Sequence, residues 1–212
     1  MSAPASRFAR IARGASTVLA LLSPFAFYAA LTRGSMRKAA ALVIAWVVLR
    51  GATLLAGASR EQRRAMLPLP ALGLGSALLG CCTGDARFLL LLPSLTQASF
   101  AVVFVVSLRA GATPLVEHFA RMQKPALPPA EVRYCRTVTL VWGAALSVAA
   151  LAGVALAFAA SLATWTAFTG IGSYVLVGAL FSAEYVVRKA RFRDYGANLL
   201  DRAIMRVFPP RT

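Results

Sequence analysis

Long apolar runs separated by short basic connectors dominate the pattern along this chain. Six runs stand out, at about residues 15–31, 39–58, 67–81, 88–108, 137–159 and 163–187. A hydrocarbon layer about 30 Å thick is crossed by roughly 20 apolar residues in α-helix. The pattern therefore predicts an all-α fold, a polytopic transmembrane helix bundle of about six spans, with residues 1–212 forming one integral membrane domain. The third run is short and broken by Pro68, Pro70, Gly73 and Gly75, which makes it the weakest span. The first run follows Arg7, Arg10 and Arg13 as a signal peptide's apolar region would. Its length, Pro24 and the lack of an A-x-A site point instead to a first span with an uncleaved start.

Two connectors carry the 3.6-residue period of amphipathic helices. In residues 113–123, Thr113 is placed to cap a helix with Pro114 at its first position and Glu117 in its first turn. Leu115, Phe119 and Met122 then recur on one stripe, the pattern of an interfacial helix lying on a membrane. Pro125, Pro128 and Pro129 end it and restart the chain, with Glu131 in the next first turn. In the basic amphipathic tail, 188–212, Leu199, Leu200, Ala203, Ile204, Val207 and Phe208 share one helical face. Asp201, Arg202 and Arg206 share the other, so this helix suits either a headgroup layer of anionic lipid or a cytoplasmic partner.

Polar residues inside apolar runs mark positions with a specific job or a snorkelling escape. Arg50 lies past the midpoint of its run, where it either faces a partner or water or reaches back to the interface. Pro93 frees a backbone carbonyl that Gln97, one turn on, is placed to satisfy; a kink and a substrate groove are both open. Glu184 and Arg188 sit at i and i+4, as an ion pair or a proton site. Ala145, Ala149, Gly153, Ala157 and then Ser161 form a row of small residues that lets a second backbone approach, inside the chain or at a dimer seam. Trp165, Phe168 and Tyr185 are expected as aromatic anchors at the two interfaces.

Composition agrees with a membrane location: 59% of residues are hydrophobic and 14% charged. A formal charge of +16 would point a soluble protein toward nucleic acid, but these bases flank the apolar runs and build no separate basic face. With six spans, 18 of the 23 Lys and Arg residues fall on the side of the N-terminus and 4 in the opposite loops, Arg50 being the remaining one. Basic residues stay inside. The expectation is a multi-pass inner-membrane protein with both termini cytoplasmic and with Glu117, Arg121, Arg133 and Arg136 on that side.

Reactive chemistry is sparse. One histidine, His118, and three cysteines, Cys81, Cys82 and Cys135, give no metal or disulfide grammar, and no HExxH, GxSxG, GxGxxG or phosphate-loop motif occurs. No catalytic, cofactor or metal residue is expected. A hydrolase or transferase would have to draw on Glu117, His118, Glu131, Arg133 and Cys135, and the first two are helical neighbours pointing about 100° apart.

The stretch PLVEHFARMQKPALPPAEVRYCRTVTLVW followed by TWTAFTGIGSYVLVGALFSAEYVVR resembles a family of uncharacterised proteobacterial inner-membrane proteins. Members are often encoded beside fatty-acid-like synthases that make aryl polyene or xanthomonadin pigments. The same half distantly resembles the intracellular septation protein family. The likeness rests on Pro114, Leu115 and Val116, on Leu140, Val141 and Trp142, and on Trp165. It covers residues 83–190 and departs just before the second motif, where Thr137 and Thr139 stand and Arg136 comes slightly earlier. The resemblance implies a multi-span protein tied to envelope synthesis and supplies no reaction. The leading expectation is a non-catalytic accessory or scaffold protein for cell-envelope or polyene-lipid biosynthesis, touching anionic headgroups and synthesis proteins. A component of a transporter for a lipid-linked product and a membrane-embedded enzyme are the alternatives.

Overall fold

A computed structural model describes residues 68–196 and 199–209, with isolated positions 22, 25, 26, 28, 29, 32, 41, 44, 45, 48 and 49. Among the described residues every regular element is helical. The expected spans 15–31 and 39–58 fall mostly, and Arg50 wholly, outside the described residues. The elements are α1 (Pro68–Thr83), α2 (Arg87–Val106), α3 (Leu115–Gln123), α4 (Pro129–Ala159), α5 (Leu162–Ala167), a π-helical turn (Phe168–Gly172), α6 (Ser173–Phe192) and α7 (Leu199–Val207).

Among the described residues three stretches are long and apolar enough to cross a membrane: Arg87–Val106, Pro129–Ala159 and the continuous Leu162–Phe192. The weak third run forms α1, whose 16 described residues rise about 24 Å. Local chemistry sets the boundaries. Asp85 Oδ1 accepts from the Arg87 amide at 2.8 Å and opens α2 after the Gly84 turn, where φ is 71°. Pro129 starts α4, eight positions before the apolar run from Thr137, because proline fits a first helical turn that has no donor to lose. Ser161 opens α5 by accepting from the Thr164 amide at 3.1 Å, so the row of small residues ends in a cap rather than in a packing contact.

The chain divides into two compact units, Met1–Phe100 with Leu146–Gly172, and Ala101–Ala145 with Ser173–Thr212. In the first, Ala77, Leu89, Leu90, Leu92, Ala157 and Trp165 form the buried core, and Phe88 meets Phe158 edge-on at 6.0 Å. Trp165, expected as an interfacial anchor, is instead 0% exposed in this core. An indole this large does more by filling space between helices than by sitting at a headgroup. Of the small row, Ala149, Gly153 and Ala157 are buried and Ala145 half-buried. A Cβ at Gly153 would clash with Ser94 Oγ while lying 3.5 Å from Ser94 Cβ. Gly153→Ala should therefore cost about 1–3 kcal/mol through overpacking, and Ser94→Ala should remove most of that cost. Unfolding of the single and double variants in bicelles checks this; an unrescued double variant would place the clash elsewhere.

In the second unit Trp142 is buried between Phe104, stacked at 5.8 Å, and Phe181, edge-on at 4.6 Å. Val148 and Leu151 on α4 and Val175 on α6 are well exposed. Apolar outer faces on this scale are compatible with insertion into lipid.

Candidate functional site

The polar features of the second unit are built around α3. A helix leaves its first amides unpaired, and the N-cap of α3 is Pro114, not Thr113, with no side-chain cap of its own. Two hydroxyls from distant positions supply the missing acceptors. Ser107 Oγ takes the Leu115 amide at 3.0 Å, and Thr139 Oγ1 takes the Val116 amide at 3.3 Å. Each hydroxyl donates its own proton to a helical carbonyl, Ser107 to Phe104 and Thr139 to Cys135. Arg136 Nη2 donates to the Leu108 carbonyl at 2.8 Å, so its guanidinium closes the turn after α2.

Five of the seven acidic residues of the chain lie in this unit, and each is tied to a base. Glu117 pairs with Arg121 at 2.7 Å and Glu184 with Arg188 at 2.6 Å, both one helical turn apart. Lys124 bridges Glu131 at 3.2 Å and Asp194 at 3.7 Å, and Lys189 meets Asp201 at 2.9 Å. Arg188 and Arg191 also lie over the Tyr134 ring at 5.5 and 5.7 Å, and the Tyr134 hydroxyl donates to the Glu184 carbonyl at 3.3 Å. Ala120, Gln123, Lys124, Leu127, Glu131 and Arg188 help to line a cleft of about 130 Å³. Its charged groups largely answer one another.

The two amphipathic helices are turned the opposite way from a helix on a water-soluble protein. On α3, Glu117 is 6% exposed while Phe119 and Met122 point out, Met122 at 72%. On α7, Asp201 is 0% exposed while Leu199 is 80% and Val207 71% exposed. The Asp201 carboxylate accepts from the Tyr185 hydroxyl, the Lys189 ammonium and the Gly196 amide. Those donors, the Tyr185 hydroxyl first, hold its pKa below the ordinary 3.8. A depressed carboxylate contributes stability above its unfolded value and loses it as pH falls through the folded one. Amide protection at 199–207, with the intrinsic pH dependence of exchange divided out, should therefore hold at pH 5 and fall only below about pH 3.8; loss of protection at pH 5 would contradict the clamp. Lys124 shifts oppositely, held above 10.5 by its hydrogen bond to Glu131, so on the alkaline side the bridge is lost only as pH rises beyond that value.

The positions expected to meet lipid or a partner divide in two. Pro114, Glu117 and Trp142 are buried, whereas Arg121, Arg133 and Arg136 are exposed. Gln97 is half-buried, and its amide shows no hydrogen bond among the described residues; Thr96 Oγ1 instead donates to the Leu92 carbonyl at 3.0 Å. The residues an enzyme would need do not converge on open space: His118 is exposed, Cys135 is fully covered, and Glu117 and Glu131 are held by bases. Among the described residues no three His, Cys, Asp or Glu side chains gather at metal-binding distance.

Fold and composition together define an all-helical protein with helices fit for a bilayer. Comparison with known families, with curated proteins and with solved structures finds no match for this chain.

Proposed function

We propose that the chain is a non-catalytic accessory protein of a bacterial inner membrane. In this reading it crosses the bilayer about six times, keeps both termini in the cytoplasm, and offers a basic platform to envelope or polyene-lipid synthesis. The observation that carries the proposal is the charge arrangement of the second unit. Its acids are consumed by internal pairs, while Arg133, Arg191, Arg202 and Arg206 stay exposed with no carboxylate partner among the described residues. A cation left unneutralised at a membrane flank attracts anionic headgroups or an acidic protein face. The 18-of-23 distribution of bases supports the orientation, and the family resemblance supports the link to envelope synthesis. Photo-crosslinkers at positions 121, 133 and 206 in intact cells test it. A synthesis protein should be recovered; recovery of lipid alone at all three positions would defeat the scaffold reading.

A second reading, a component of a transporter for a lipid-linked product, draws on Arg50, Pro93 and the half-buried Gln97. Arg50→Leu separates the two, because a transporter would lose flux at normal abundance and a scaffold would keep its partner.

A further inference from the structure

We infer that α7 is a clamped membrane foot: a short helix held to the end of α6 by its one buried carboxylate, with its outer face seated in a headgroup layer of anionic lipid. The inference deepens the membrane reading above and is independent of any protein partner. It starts from the direction in which α7 faces. A nine-residue helix is too short to persist alone in water, so something must hold it, and the usual holder is an apolar stripe pressed inward. Here the inward side is led by Asp201, with Tyr185, Lys189 and Gly196 as its donors, and Ile204 and Met205 are half-covered beside it. The apolar side chains Leu199, Leu200 and Val207 are left on the outside.

Water gives no reason for that arrangement. Three large aliphatic side chains exposed on a nine-residue helix would each lose by hydration what burial normally recovers. A bilayer interface removes the penalty, since the acyl boundary accepts aliphatic side chains to a depth of about 5–10 Å. Arg202 and Arg206 are exposed on the same helix, so guanidinium groups flank the aliphatic patch. That combination matches lipid phosphate above acyl chain rather than the surface of an apolar protein. α3 shows the same inversion independently, with Glu117 inward against Arg121 and Phe119 and Met122 outward. The connection to α6 also fixes the geometry: Arg193 takes a left-handed φ of 57° and its amide donates to the Lys189 carbonyl at 2.9 Å, ending α6 at Phe192, before α7 begins at Leu199. The clamp thus acts at the terminus of a stretch fit to cross the membrane, where a headgroup layer would be.

The test places nitroxide labels in full-length protein whose three cysteines are replaced by serine, reconstituted in nanodiscs with and without phosphatidylglycerol. Leu200→Cys should report a lipid environment, accessible to oxygen and shielded from a water-soluble nickel chelate. Arg202→Cys should report the aqueous headgroup side. Arg206→Gln should lower the ratio of docked to undocked states about 5-fold, the effect of roughly 1 kcal/mol for each basic residue at an anionic surface. Asp201→Asn should leave position 200 in lipid but make its label more mobile. Val148→Cys, on the outer face of α4, serves as the reference. If positions 148 and 200 are both open to nickel, the membrane reading itself fails. If 148 is in lipid and 200 is aqueous in anionic nanodiscs, only the foot is overturned. Equal burial of 200 in purely phosphatidylcholine nanodiscs would overturn its dependence on anionic lipid.

Discussion

Replacing Trp165 by alanine should cost about 3 kcal/mol and should be among the most damaging single truncations in the described chain. The indole is fully covered in the core of the first unit, against Leu89, Leu90, Leu92 and Ala157. In a soluble protein such a change costs about 3–5 kcal/mol, part of it lost transfer from water and part of it a cavity. Lipid is as apolar as the core, so the transfer share shrinks in a bilayer and the lost dispersion contacts remain. The lower end of the range is therefore expected. Trp165→Phe discriminates packing from hydrogen bonding. The indole Nε1 has no partner among the described residues, so phenylalanine should retain most of the stability. Steric-trap unfolding in bicelles measures both; an equal loss in the two variants would mean that the N–H, not the ring, is what the site requires.

The second large effect is expected from unpairing Glu184 and Arg188. Both side chains are more than two-thirds covered and their contact is 2.6 Å. Removing one partner of a covered ion pair leaves the other charge uncompensated, at about 3 kcal/mol, whereas replacing both by apolar residues of similar size is near neutral. Glu184→Leu should therefore destabilise strongly, and the Glu184→Leu/Arg188→Leu double variant should recover to within about 1–2 kcal/mol of the native protein. Recovery should be incomplete because Arg188 also lies over Tyr134. If Glu184→Leu costs nothing, the pair is solvated in the membrane and the covered geometry has no energetic meaning.

The sequence made the long helices legible because hydropathy reports the solvent around a segment, and α2, α4 and the stretch from Leu162 to Phe192 follow apolar runs. It also made the Glu184–Arg188 pair legible, since both partners lie on one helix and spacing alone brings them together. Residues capped or buried by distant partners were not legible. Ser107 and Thr139 cap α3 from 8 and 23 positions away, and no local pattern encodes that meeting. The period of α3 and α7 separated their polar from their apolar faces but carried no sign. Whether Asp201 and Glu117 turn inward or outward depends on what surrounds the helix, which the period does not record. The start of α4 was legible in Pro129 and in Glu131 of the next first turn, ahead of the apolar run, because a helix continues for as long as its backbone bonds are made, whether or not its side chains are apolar.

The π-helical turn at Phe168–Gly172 has a consequence for how the last long helix can change. Such a turn accommodates one more residue than the α-helical path between the same neighbours. A chain shortened by one residue inside this turn should therefore revert to uninterrupted α-helix without disturbing the packing that follows it. Phe181 would keep its edge-on contact with Trp142, although the chain had lost a residue. The helix thus holds a length reserve, by which a change of one residue is absorbed at one point rather than passed along.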